Sequence, residues 1–178
     1  MARPFVILSL SGGGYCGLYT ARVLELIEEK RGGVPLSKSV DLIAGTSVGG
    51  ILALGLAHSI PATTLKAALL DNGPEIFRDS GSLIRRRARN GLALLRQIAF
   101  SKYSNQPLEA AIDDMIPGKL FKEADVPCVV SSVCATNGKP HVFRNYDGRD
   151  TLLSSRQVAM ATSAAPTYFP PYWIDGQK

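Results

Sequence analysis

Cysteine, histidine and long apolar runs are all scarce in this chain. Three cysteines, Cys16, Cys128 and Cys134, give neither a disulfide framework nor a zinc-ligand spacing. Cys128 and Cys134 lie an even number of residues apart in an apparent strand, which places two small buried thiols on one face in a reducing compartment. No apolar run approaches the roughly 20 residues of a membrane-spanning helix. Phe5 to Leu10 is apolar, but it runs into glycines rather than a small-residue cleavage site, so it reads as a first strand and not as a secretion signal. The expected setting is the cytoplasm. Acidic residues are missing from Ser80 to Leu108, where Arg85, Arg86, Arg87, Arg89, Arg96 and Lys102 stand. Those six cations account for the whole net charge of +5. The remaining composition is ordinary, and 178 residues suit one domain spanning 1–178.

The order of elements is that of a parallel α/β protein. Pro4 to Ser11 has the compact apolar pattern of a buried parallel strand. A glycine loop, Ser11 to Gly17, leads into an amphipathic helix from Leu18 to Lys30, ended by Gly32 and Gly33. Val40 to Ala44 is a second strand, Gly45 to Gly49 a tight turn, and Gly50 to Ser59 a helix of small and apolar residues stopped by Pro61. Helical pieces follow at Pro61 to Phe77 and Leu108 to Ile116. Pro127 to Ala135 is a third strand, with His141 to Asn145 returning as a hairpin after Asn137-Gly138. Leu152 to Thr162 is a helix, after which Pro166, Pro170 and Pro171 enforce extended chain.

The most specific feature is Gly45-Thr46-Ser47-Val48-Gly49, a G-x-S-x-G between a strand and a helix. Such a turn forces the serine into a strained conformation, and only glycine leaves room beside it. The hydroxyl is lifted clear of the sheet at a helix N-terminus, where developing negative charge is favoured. Taken alone, the motif also fits a serine capping a glycine-flanked helix.

Gly12 to Gly17 matches G-x-G-x-x-G, and a dinucleotide site would want an acid near the end of the second strand. Asp41 stands at about that distance but opens the strand instead of closing it. The better use of the loop is as an oxyanion hole, since consecutive glycines at a helix start present unobstructed N–H groups.

The base is less determined. His58 lies along the same helix as Ser47, roughly 16 Å away. His141 sits in the hairpin strand and reads as a solvated or core histidine. Of the two Asp-Gly pairs, Asp147-Gly148 looks like a surface turn. Asp175-Gly176 follows an apolar extended segment expected to return through the core to the sheet edge, which favours Asp175.

Three blocks now stand in order: Ser11-Gly12-Gly13-Gly14-Tyr15-Cys16-Gly17, Gly45-Thr46-Ser47-Val48-Gly49-Gly50, and Ser163-Ala164-Ala165-Pro166-Thr167-Tyr168-Phe169-Pro170-Pro171 leading to Asp175-Gly176. Together they resemble the patatin-like phospholipases, of bacterial type, including antiphage effectors switched on by a cyclic nucleotide. The resemblance implies a mostly parallel sheet sandwiched by helices. It also implies a Ser–Asp dyad of Ser47 and Asp175, and an oxyanion hole of Gly12, Gly13 and Gly14 flanked by Gly17, Gly45 and Gly49. The implied chemistry is cleavage of phospholipid acyl esters through an acyl-enzyme, with no metal or cofactor.

Two departures stand out. Cys16 occupies a position where the family usually carries Arg or Lys. The family's domain also continues well past the aspartate, whereas this chain stops three residues after Asp175, with Gln177 following the Asp-Gly pair. The expectation is a domain lacking its C-terminal part.

Within the basic segment, Ile84, Ala88, Leu92 and Leu95 fall at helical spacing. Arg85, Arg89 and Arg96 share another face, which fits the solvated side of a lid helix, and Arg85, Arg86, Arg87 and Arg89 are the candidates for a contact with anionic headgroups or a cyclic nucleotide. No nucleic-acid-binding fold is recognisable. The combined expectation is a peripheral phospholipase at the inner membrane surface. The alternatives are a non-catalytic lipid- or nucleotide-binding relative and a Ser-His-Asp esterase using His141.

Overall fold

The computed structural model describes residues 3–77, 104–166 and 168–174. Four strands form one sheet in the order β1 (Ile7–Leu10), β2 (Leu42–Thr46), β3 (Cys128–Val133), β4 (Pro140–Arg144). The first three are parallel, and β4 returns antiparallel from β3. The helices are α1 (Gly17–Lys30), α2 (Val48–Ala57), α3 (Ala62–Ile76), α4 (Asn105–Met115) and α5 (Ser155–Ser163). The mostly parallel α/β layout read from the sequence is therefore present, with strand and helix bounds displaced by a few residues.

The strand order determines where the helices lie. Parallel connections are right-handed, so an order that advances steadily from β1 to β3 stacks the connecting helices over one face of the sheet. On that face Ile43, Cys128, Val130 and Phe143 are buried. Along β1 and β2 the register puts Ile7 beside Leu42 and Ser9 beside Ala44 on the opposite face. That face is half-covered, and Ile7 is 56% exposed. The first strand was expected to be buried; it is the edge strand among those described, and Phe5 and Ile7 are exposed because no element described here lies over them.

Helix α2 is the centre of the core. Every residue from Val48 to Ala57 is buried, which explains its run of small and apolar residues. It packs on β1, β2 and β3 from one side, while α1, α3 and α5 contact it from others. The outer helices are tied by buried polar groups. The Glu28 carboxylate accepts from Leu36 N at 2.9 Å and from Ala62 N at 2.8 Å, so one α1 side chain satisfies a turn and the free start of α3. Glu25 of α1 accepts from Lys66 of α3 at 2.8 Å. Ser154 and Gln157 form a reciprocal cap on α5.

Cys128 is buried, and burial pushes its thiol up to about 12. Cys134 departs from the expectation. It lies past the end of β3 in the turn to β4, half-buried, its N–H bonded to Lys139 O. The Thr136 and Asn137 N–H groups lower its thiol pKa. No helix among the described residues is long and apolar enough to cross a membrane.

Candidate active site

The C-terminal ends of β1 and β2 bring the two glycine motifs together. Ser47 stands between β2 and α2 with φ 55° and ψ −131°, a region that L-residues rarely occupy. Main-chain contacts enforce this turn. A β-carbon on Gly45 would stand 2.3 Å from Gly49 O, and one on Gly49 would stand 2.4 Å from Leu10 O. Gly17 has the same role one layer out, where a β-carbon would meet Val48 Cγ2 at 2.4 Å. The three flanking glycines singled out in the sequence thus let β1, β2, α1 and α2 meet at Ser47.

The glycine loop reaches the same place. Gly12 packs against Thr46 and Ser47, and Gly14 adopts φ 55°, which favours glycine. Gly13 and Gly14 share with Ser47 a cavity of about 390 Å³. Apart from Ser163, its other walls are mostly apolar: Val48 and Ile51 of α2, Leu69 and Ile76 of α3, Phe77, Leu108 and Met115 of α4, and Ala165, Tyr168 and Phe169. Tyr15 and Phe77 form a tilted ring pair beside the loop, with centroids 5.8 Å apart. Cys16 is exposed, at the residue preceding α1.

One further side chain holds Ser47 that the sequence did not single out. Thr162 Oγ1 accepts from Ser47 N at 2.8 Å and donates to Ser131 O at 2.6 Å. Ser163, the next residue, lines the cavity. Ser163 opens the third of the sequence blocks, and Thr162 stands just before it, outside the block.

Neither histidine bonds to the serine. His58 Nε2 pairs with Ser155 Oγ at 2.8 Å deep in the core, and burial together with the Lys119 charge lowers its pKa to about 4. His141, on β4, bonds Asp150 Oδ1 at 3.2 Å, and β3 lies between its strand and β2. Asp41, weighed above as a ribose ligand, accepts from Val6 N at 2.8 Å and from Arg3, and so anchors the start of β1. Asp175 and the basic residues Arg85, Arg86, Arg87 and Arg89 lie outside the described residues. The segment before Asp175 does not pass wholly through the core: Phe169 and Ile174 are buried, but Trp173 is 71% exposed.

The family model for patatin-like phospholipase matches residues 8–178. A cGAMP-activated phospholipase of Pseudomonas aeruginosa is 39% identical over 92% of this chain and 48% of its own length. A cGAMP-activated phospholipase of Vibrio cholerae is 37% identical over 94% of this chain and 50% of its own. The chain therefore spans about half the length of the curated relatives it matches. Among solved structures, the type III effector protein ExoU superposes over 93% of this chain and 40% of its own with a TM-score of 0.56 at 16% identity, a likeness of fold. With the family model covering the chain from β1 to its last residue, this chain belongs to the patatin-like phospholipases.

Proposed function

We propose that this chain carries the catalytic site of a lipid acyl hydrolase with Ser47 as nucleophile. The observation that carries the reading is a strained serine at a helix start, sharing an apolar cavity with the glycine loop. Ser47 Oγ attacks the carbonyl carbon of an acyl ester while its proton passes to the Asp175 carboxylate. The tetrahedral oxyanion is held by N–H groups of the Gly12–Gly14 loop at the positive end of the helix. Collapse expels the alcohol portion of the lipid, which takes the proton back from Asp175, and water then releases the fatty acid from the acyl-enzyme. The apolar walls take up the acyl chain. The role of Asp175 rests on its match to the family's Asp-Gly pair.

The names of the two bacterial relatives support a phospholipid substrate and a cyclic-nucleotide switch. The enzyme then works at the inner membrane surface, with Arg85, Arg86, Arg87 and Arg89 meeting anionic headgroups.

Fatty acid release from mixed phospholipid vesicles tests the whole reading, with and without cGAMP. Ser47→Ala and Asp175→Asn are expected to lower release at least about 100-fold, and His141→Ala to leave it near wild type. Release that survives Ser47→Ala would refute the hydrolase mechanism. Full activity in Asp175→Asn would move the base elsewhere. Hydrolysis unaffected by cGAMP would remove the switch and leave the chemistry standing.

A further inference from the structure

We propose that Thr162 is a positioning residue for the nucleophile, its hydroxyl standing in for the last rung between β2 and β3. The proposal rests on the reading of Ser47 as nucleophile. In the parallel ladder Ile43 N donates to Pro127 O at 2.9 Å, and residues pair from Ile43 with Cys128 to Thr46 with Ser131. Continuing that register, the next rung would run from Ser47 N to Ser131 O. The chain turns away at Ser47, and the Thr162 hydroxyl fills the gap, 2.8 Å from the amide nitrogen and 2.6 Å from the carbonyl oxygen.

The direction of this relay is fixed by its ends. An amide can only donate and a carbonyl can only accept, so the hydroxyl must accept from Ser47 and donate to Ser131. Only threonine or serine can do both here without reaching further. Thr162 is buried, and its methyl group lies under the elbow: a β-carbon on Gly50 would stand 2.8 Å from Thr162 Cγ2. One side chain of α5 therefore grips the Ser47 amide and supports the first turn of α2.

Two consequences follow for the reaction. The Ser47 N–H is engaged and cannot serve the oxyanion, which leaves that task to other amides. The peptide plane between Thr46 and Ser47 is also pinned, and with it the backbone from which the Ser47 side chain projects. Thr162 is not among the residues lining the cavity, so its loss is expected to act on the chemical step and not on acyl-chain binding.

The test compares Thr162→Val, which keeps the shape and removes both hydrogen-bonding functions, with Thr162→Ser, which keeps the hydroxyl. Both are measured in the full chain for hydrolysis of a p-nitrophenyl acyl ester and for the rate at which a fluorophosphonate labels Ser47. Thr162→Val is expected to lower kcat and the labelling rate by about 10- to 100-fold with KM within about 2-fold, because a small misplacement of a reacting atom costs that much. Thr162→Ser is expected to stay within about 3-fold of wild type on both readouts.

Wild-type labelling of folded Thr162→Val would overturn the proposal. So would a folded Thr162→Ser protein slowed about 10-fold or more on both readouts, an outcome that decides the matter even where Thr162→Val does not fold. Ser47→Ala separates the two levels. If it still turns over or is still labelled, the nucleophile reading fails and this proposal falls with it. If it is inert while Thr162→Val is unimpaired, only the role of Thr162 falls.

Discussion

Gly12 lies so close to Ser47 that a β-carbon on the glycine would stand 3.1 Å from the serine Cβ and 3.2 Å from Thr46 O. Gly12→Ala therefore pushes directly on the elbow, and Ser47 must give by a few tenths of an ångström. Overpacking of this kind costs about 1 kcal/mol of stability, while kcat is expected to fall at least about 10-fold because the reacting oxygen moves. Gly33→Ala is the control. That glycine has φ 78° with open space around it, so alanine strains the backbone far from the site. Urea unfolding should place the two variants near each other in stability, and ester hydrolysis should separate them. Equal activities would show that the close approach has no catalytic meaning.

The cavity wall makes a prediction about selectivity. Leu69 is 2% exposed and contributes to the lining from α3. Leu69→Phe places extra volume in the space assigned to the acyl chain. Long-chain p-nitrophenyl esters should lose kcat/KM by about 10-fold or more relative to butyrate, in line with what a few displaced methylenes are worth in an apolar pocket. A uniform loss across chain lengths would place the acyl chain elsewhere.

His58 predicts a pH dependence of stability. Its folded-state pKa is about 4 against an ordinary 6.5, mainly because the ring is buried. Below pH 6.5 the unfolded chain takes up a proton that the folded ring refuses. Stability should therefore fall as pH drops from 6.5 to 4, with no contribution from this group above that window. The loss is of order 3 kcal/mol over the whole window. Urea unfolding at pH 7.5, 5.5 and 4.5 should show a steeper decline for wild type than for His58→Gln. Parallel declines would mean that the ring is not held neutral.

Both glycine motifs were legible in the sequence because each combines a short apolar run with residues that only a tight main-chain crossing requires. Helices α1 and α3 were legible for the same kind of local reason. What the sequence reading misplaced depends on distant partners. Gly45 and Thr46 read as turn residues, yet they remain paired with Val130 and Ser131 at the end of β2. The exposure of Ile7 follows from strand order and not from the composition of β1. Cys134 reads as a continuation of β3, but the turn to β4 begins there. Thr162 could not be found at all, since the groups it joins lie 115 and 31 residues away along the chain.

The crossing of Gly45, Gly49 and Leu10 has a bearing on how the molecule tolerates change. Main chain meets main chain there with no side chain between, so repacking of the aliphatic side chains of α1 and α3 has little leverage on where Ser47 stands. Conservative swaps among the aliphatic residues of α1 and α3 can drift or be redesigned for thermal stability while the nucleophile keeps its place. The same crossing is brittle in one direction only: a single added carbon at either glycine has nowhere to go.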